Sequence, residues 1–241
     1  NMAKHEISYG QKKIPFTLKR KNVKNMNLNL KPNLLVEVSA HKDVPVDAVH
    51  KFVRRRASWI IKNMEYFKKT LSEIQNEKEY VNGESFKYLG KQYRLKVIKS
   101  NHEMVKYKRG YLNVHTSDTK SLEKKRTLVN KWFKERSDIV FNESLNRMHS
   151  LVKKYNIPLP KITKRHMKAR WGSCIKNKGI ILLNTDLIDA PKFCIDYVIL
   201  HELLHFKYSN HDKNFYNFLT TLMPDWERRK EILDMEVVKN L

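Results

Sequence analysis

Residues 198–206 carry two histidines and a glutamate within an otherwise apolar stretch of the 241-residue chain. His201 and His205 stand four positions apart, and Glu202 directly follows the first. Residues four apart lie one turn apart on the same face of an α-helix, so both imidazoles can reach one ion. Because the neighbouring residues are Val, Ile, Leu and Phe, the helix must be buried on most sides, and buried polar groups require partners. A metal ion and a water molecule would supply those partners.

The His-Glu-x-x-His spacing is typical of zinc-dependent peptidases, in which the glutamate lies close enough to handle a proton of the zinc-bound water. A catalytic zinc site also needs a third protein ligand and one open position. His211, six residues after His205, is the preferred candidate, because a turn at residues 209–210 would return it to the ion. The alternatives are two other histidines and two downstream glutamates: His149, His166, Glu227 and Glu231.

Positive charge is the main feature of the composition. The chain has 49 Lys and Arg against 25 Asp and Glu, which gives a formal net charge of +24. Such a surface attracts polyanions, of which nucleic acid is the first candidate and an anionic membrane surface the second. DNA or RNA is therefore a candidate partner. The candidate contacts are basic residues from two runs: Arg54, Arg55, Arg56, Lys164, Arg165 and Lys168.

Cysteine content and hydropathy exclude several classes of protein. The two cysteines, Cys174 and Cys194, are too few for a disulfide-stapled scaffold. No segment approaches the roughly 18 apolar residues that a membrane span requires, and no signal peptide is recognisable. These features predict a cytoplasmic location with both thiols reduced.

Hydrophobic periodicity predicts an α+β fold. Helical spacing covers residues 47–69, where Asp47 is the expected N-cap, and residues 119–155. Alternation and turn residues predict hairpins at residues 86–98 and 104–115. Further strands are expected at residues 16–18, 26–30, 34–39, 168–173 and 179–184. Further helices are expected at residues 192–208, which carry the motif, at residues 212–222, and from residue 225 onward.

A domain boundary is expected near residue 116, between the second hairpin and the long helix that follows. Residues 1–115 would then form a basic N-terminal α+β region of short antiparallel strands and helices. Residues 116–241 would carry the motif helix packed on a small sheet.

Several short motifs occur together along the chain. In the C-terminal half they are Arg170-Trp171-Gly172-Ser173-Cys174, Gly179-Ile180, Leu183-Asn184, Ala190-Pro191, Asp196-Tyr197-Val198, the HELLH motif and Asn210-His211. In the N-terminal half they are Lys19-Arg20-Lys21-Asn22, Trp59-Ile60, Gly83-Glu84 and Tyr88-Leu89-Gly90. In this combination, over about residues 16–235, the chain resembles the YgjP-like metallopeptidases, a zincin group akin to the SprT-type proteases.

The resemblance implies a zincin-like catalytic region. It implies one Zn²⁺ per chain, held by His201, His205 and His211, with Glu202 as the catalytic glutamate. It also implies a protein or peptide substrate. Because the SprT group acts on DNA-linked proteins, the resemblance favours nucleic acid as a partner as well.

The expected reaction is zinc-dependent hydrolysis of peptide bonds by an endopeptidase, with Glu202 as the general base. A second electrophile is expected from one of three residues: Tyr208, Tyr216 and Arg170. The strand at residues 179–184 is the expected rim of the substrate cleft, and Asp186 or Asp196 is expected to orient a ligand histidine. The alternative is a nucleic-acid-binding protein with a structural or vestigial zinc site. Glu202 favours the hydrolase, because a structural site has no use for a base.

Overall fold

The computed structural model describes residues 2–31, 34–74, 78–167 and 170–234. These residues fall into two units, one up to residue 74 and the other from residue 78 to residue 234. Each unit has its own cluster of buried apolar side chains. Lys168, one of the predicted nucleic-acid contacts, lies outside the described residues.

Four short strands form the sheet of the first unit. They are β1 (Met2–Tyr9), β2 (Lys12–Arg20), β3 (Asn27–Leu30) and β4 (Val36–Ala40), in the spatial order β1-β2-β4-β3. β2 and β4 are parallel, whereas β1 pairs with β2 and β3 pairs with β4 in antiparallel fashion. The sequence predicted the other three strands but not β1, because Ile7 alone among its residues is buried and no apolar alternation results.

Two consecutive helices, α1 (Val46–Arg55) and α2 (Ala57–Ile74), follow this sheet. Their apolar residues, such as Val53 and Ile60, join Phe16 of β2 in one buried cluster. The single helix predicted for residues 47–69 is therefore divided at Arg56. The predicted N-cap is wrong as well: Pro45 occupies that position, and its carbonyl accepts the first helical hydrogen bond from the N–H of Val49, whereas Asp47 lies in the first turn.

The second unit begins with a sheet that contains both predicted hairpins. Its strands are β5 (Ser85–Tyr88), β6 (Lys91–Lys99), β7 (Met104–Lys108) and β8 (Tyr111–Thr116), in the order β5-β6-β8-β7. Antiparallel pairing of β5 with β6 and of β7 with β8 confirms the hairpins, and β6 pairs with β8 in parallel. One face of this sheet, which includes Phe86, Leu95 and Leu112, is buried in the core of the unit.

The long helix α3 (Leu122–Val152) packs against this sheet and confirms the helix predicted for residues 119–155. At its start, the side chain of Ser121 accepts a hydrogen bond from the N–H of Lys124, as a serine N-cap does. A second sheet follows, with β9 (Lys161–Arg165), β10 (Gly172–Ile175) and β11 (Ile180–Asn184) in the order β10-β11-β9. β11 lies in the centre of this sheet and β10 at one edge, so the prediction that residues 179–184 form the rim of the cleft is wrong.

Three helices complete the unit: α4 (Lys192–Leu204), α5 (Lys213–Leu222) and α6 (Trp226–Asp234). The motif helix α4 packs on β10, β11 and α3. Nine of its 13 residues are buried, which confirms the burial inferred from its apolar sequence. It ends at Leu204, four residues before the predicted end at Tyr208. The fold is α+β, and the motif helix packs on a small sheet, as predicted.

The hairpin strands share their core with α3 and α4, so residues 85–116 belong to the same unit as the motif helix. The predicted domain boundary near residue 116 lies between β8 and α3. That it separates two functional domains stays a prediction. None of the helices in the described ranges is long and apolar enough to cross a membrane.

Candidate metal centre

Helix α4 and the turn that follows it bring three imidazole rings together. His201 lies in the last turn of α4 and His205 at its C-cap, while His211 directly precedes Asp212, the N-cap of α5. One ring nitrogen from each histidine lies within 4.8 Å of the other two. The Nε2 atoms of His201 and His211 are 2.9 Å apart, and the ring centroids of His205 and His211 are 4.6 Å apart. The three histidines expected to share one ion therefore converge.

Neighbouring groups hold these rings in place. Nδ1 of His205 lies 3.0 Å from the backbone carbonyl oxygen of Tyr208; a hydrogen bond to that oxygen leaves Nε2 available as a ligand. The ring of Phe215, which is fully buried, lies 4.9 Å from that of His201, 4.8 Å from that of His205 and 5.0 Å from that of His211. Phe215 is thus the apolar floor beneath all three imidazoles.

Burial and the charges of neighbouring groups favour the neutral forms of His201 and His205. Burial lowers the pKa of His201 to about 3, and the positive charges of His205, His211 and Lys230 act in the same direction. The pKa of His205 is lowered first by burial and then by His211, against the opposing effect of the Tyr208 carbonyl. Because a neutral imidazole is the form that binds a metal ion, these shifts favour ligation.

Glu202 lies on the buried side of α4, with 7% of its surface exposed. Burial raises the pKa of its carboxyl group to about 7, and the positive charge of Arg170 opposes this shift. Strand β10 approaches the side chain closely at Gly172, where a Cβ would lie 3.0 Å from Cγ of Glu202 and 3.3 Å from its Oε1. The missing side chain of Gly172 therefore leaves Glu202 the space it occupies.

A cleft of about 640 Å³ opens over these groups. It is lined by β10, by α4, by the loop before α5 and by α6. Tyr197 lines it from α4 and is 6% exposed. Cys174 lines it from β10, and burial followed by the charge of Glu202 raises the pKa of its thiol to about 11. The thiol is therefore protonated at neutral pH and poorly suited to act as a nucleophile.

The three candidates for the second electrophile are placed differently. Arg170 is exposed and lines the cleft. Tyr208 offers its backbone carbonyl to His205, and its ring packs against Phe218 with centroids 5.6 Å apart. Tyr216 stacks on Trp226 at 5.3 Å, and its ring lies 6.1 Å from that of His211. Arg170 is therefore the candidate that faces a substrate in the cleft.

The alternative third ligands do not join the histidine cluster. Nε2 of His149 lies 2.8 Å from a backbone carbonyl oxygen, and His166 pairs with Asp186 at 3.0 Å. Glu227 and Glu231 are exposed and do not join the histidine cluster. Among the described residues, the histidines that lie close enough to share one ion are His201, His205 and His211.

The expected role of Asp186 or Asp196 in orienting a ligand histidine is wrong. Asp186 pairs with His166, and Asp196 accepts hydrogen bonds from Ser144 at 2.5 Å and Arg147 at 2.8 Å. Among the described residues, the group that orients a ring of the cluster is instead the backbone carbonyl of Tyr208, which contacts Nδ1 of His205.

The donor set suits a zinc ion. Three neutral imidazoles with one open position form a known type of catalytic zinc site, and the cluster contains no thiolate or carboxylate ligand. His201 and His205 are half-buried, whereas His211 is exposed. The centre is therefore open on the side of His211, where a substrate can approach.

Comparison with known families decides the relationship. The model of the YgjP-like metallopeptidase domain matches residues 24–236. The chain belongs to the YgjP-like metallopeptidase family. It is therefore a metallopeptidase by family, with a protein substrate and a requirement for a metal ion. No curated protein matches the chain significantly.

Two solved structures are similar to part of this YgjP-like chain. The metallopeptidase zymogen abylysin of Pyrococcus abyssi is 26% identical, with a TM-score of 0.36, and the match covers 41% of this chain and 93% of abylysin. A mutant of Wss1 from Saccharomyces cerevisiae is 22% identical, with a TM-score of 0.34, and the match covers 41% of this chain and 83% of Wss1.

The basic residues predicted to contact nucleic acid in this YgjP-like protein differ in their availability. Arg54, Arg55 and Arg165 are exposed. Arg56 is exposed too, and its guanidinium lies 4.7 Å from the ring centroid of Phe52. Lys164 forms an ion pair of 2.6 Å with Asp138, and its side chain is only 14% exposed. Lys164 is therefore the weakest of these candidates.

Sequence reasoning missed three groups that shape the site: Gly172, the Tyr208 carbonyl and Phe215. A backbone carbonyl carries no residue-specific signal. Phe215 stands four residues after His211, but His211 lies before the N-cap of α5, so helical spacing does not link the two residues.

Proposed function

We propose that this chain is a zinc-dependent endopeptidase in which His201, His205 and His211 bind one zinc ion. The supporting observation is the convergence of three imidazoles beside the buried carboxyl group of Glu202, at one cleft. A zinc ion bound there would lower the pKa of a water molecule towards about 7 and polarise the carbonyl group of a peptide bond.

Glu202 is the proposed general base. Its carboxylate would take a proton from the attacking water and deliver it to the nitrogen of the leaving amine. Gly172 and the surrounding apolar residues leave this side chain little room, which supports a fixed direction for the proton transfer. Arg170, at the cleft, would stabilise the negative charge that develops on the carbonyl oxygen.

The edge of β10 is the proposed binding surface for the substrate backbone. Gly172, Ser173 and Cys174 of this strand line the cleft, and among the described strands β10 pairs only with β11. An extended peptide would add to the open edge through main-chain hydrogen bonds. Such binding needs neither end of the substrate chain, which supports an endopeptidase.

Replacement of Glu202 by glutamine tests the mechanism, because it removes the base while conserving side-chain shape. We expect Glu202→Gln to retain one zinc per chain and to cleave an unfolded protein substrate about 10²–10⁴-fold more slowly. Glu227→Gln, at an exposed glutamate, is the matched control and is expected to cleave like the unaltered protein. Cleavage at an undiminished rate by Glu202→Gln would overturn the proposed role of Glu202.

Association with nucleic acid is the second part of the proposal. The net charge of +24 and the exposure of Arg54, Arg55 and Arg165 support it. Because phosphate contacts release counterions, we expect DNA and RNA to shift in a gel at low salt and to lose affinity steeply as salt rises. No shift at low salt would contradict the association. Binding by a protein that holds zinc but cleaves no substrate would favour the alternative of a binding protein with a structural zinc site.

A further inference from the structure

The sheet β5–β8 of the second unit has an outer face that no part of the site uses. Its inner face is buried in the core, and strand alternation turns the other set of residues outward. We call Arg94, Lys96, Lys106, Lys108 and Tyr111 the cationic face. All five are exposed, Tyr111 by 45%.

Strand register arranges the cationic face in two rows. In the first row Tyr111 of β8 lies between Arg94 of β6 and Lys108 of β7. In the second row Asn113 lies between Lys96 and Lys106 in the same way. With strands about 4.8 Å apart and two residues spanning about 7 Å along a strand, the four cations occupy a patch of roughly 10 by 7 Å around one exposed aromatic ring.

The strands that carry the cationic face and the turns between them contain a single acidic residue. Residues 85–116 contain eight Lys or Arg and a single acidic residue, Glu103. Glu103 is engaged by Ser117, whose N–H and hydroxyl donate to Oε1 at 2.9 and 2.7 Å. Among the described residues, none of the four cations forms an ion pair with a carboxylate. Like charges held this close repel one another, so a bound polyanion would stabilise the face.

We propose that the cationic face binds single-stranded nucleic acid, with its four cations on phosphates and a base stacked on Tyr111. This binding surface rests on the proposed association with nucleic acid and would lie on the second unit. Base stacking on an exposed aromatic ring requires an unpaired base, and this combination of ring and cations is the mode by which single strands are bound. The bases of a duplex are paired and stacked on one another, so a duplex would contact the four cations through its phosphates alone. An anionic membrane has no base to stack on Tyr111.

The test is fluorescence anisotropy of the full chain with labelled single-stranded DNA, single-stranded RNA, duplex DNA of the same sequence and phosphatidylserine vesicles, over a range of salt. We expect tighter binding to the single strands than to the duplex. Tyr111→Ala should weaken single-strand binding on the order of tenfold, while Tyr111→Phe should bind as the unaltered protein does. Lys96→Ala with Lys106→Ala should reduce the slope of log affinity against log salt by about 1.4, or about 0.7 per lost phosphate contact.

The control removes two charges elsewhere on the same unit. Lys153 and Lys178 are both exposed, so Lys153→Ala with Lys178→Ala has the same net charge as the double variant of the face. It should keep single-strand affinity and slope nearly unchanged. Equal losses in the two double variants, equal binding of duplex and single strand, or a preference for vesicles would each overturn the inference. If Arg54→Ala with Arg55→Ala weakens binding and the variants of the cationic face do not, the protein still associates with nucleic acid, but the cationic face is not the binding site.

Discussion

Gly172 is the residue through which β10 reaches the carboxyl group of Glu202. A Cβ at this position would lie 3.0 Å from Cγ of Glu202 and 3.1 Å from Cγ1 of Val198. The backbone at Gly172 lies outside the left-handed region that favours glycine. The effect of alanine at this position would therefore come from contact of its methyl group with Glu202 and Val198, and not from backbone strain. Gly172 is a positioning residue for the proposed base.

We expect Gly172→Ala to keep its zinc and to lose at least about tenfold in kcat, because general-base catalysis depends on the placement of the carboxylate. Zinc content and the kcat for an unfolded protein substrate are the measurements. The double variant Gly172→Ala with Val198→Ala gives the added methyl group room and should recover part of the loss. Full activity in Gly172→Ala would show that the close approach has no role.

Helix α5 connects the third histidine to the floor of the site. Its N-cap, Asp212, follows His211 and accepts a hydrogen bond from the N–H of Phe215 at 3.0 Å. The same short segment therefore holds His211 at one end and the ring beneath all three imidazoles at the other. The start of α5 fixes the geometry in which His211 meets the two histidines of α4.

Loss of this cap should weaken both the helix and the metal site. We expect Asp212→Ala to cost about 1 kcal/mol of stability and to lower zinc affinity by up to about fivefold. Asp212→Asn, which retains the capping oxygen, should behave like the unaltered protein. Thermal unfolding and competition with a chelator measure the two effects; equal zinc affinity in the alanine and asparagine variants would contradict a role of the cap in the site.

The elements that the sequence predicted well are those whose residues carry a regular apolar period. α3 and both hairpins of the second unit lie where periodicity placed them. β1 was missed because one buried residue gives no period. The sequence does not reveal the end of α4 at Leu204, because the N–H groups of the next three residues bond to carbonyls three positions back instead of four, a change that apolar spacing does not show.

The two units differ in what they contribute. The histidines, Glu202 and the cleft all lie in the second unit, together with the hairpin strands at residues 85–116. The local HELLH spacing was enough to predict that His201 and His205 lie together on α4. The structure brings His211 to these two rings, and the role of all three as ligands stays a prediction. Gly172 and Phe215 depend on how β10 and α5 pack against α4, which no local pattern shows.

Metal analysis by mass spectrometry of protein purified without chelator or added metal tests whether three histidines bind one ion. We expect one zinc per chain in the unaltered protein and a loss of most of it in His211→Ala, because a site with two remaining imidazoles binds weakly. His166→Ala, at a histidine paired with Asp186, is the matched control and should keep its zinc. Unchanged zinc in His211→Ala would contradict the proposed centre.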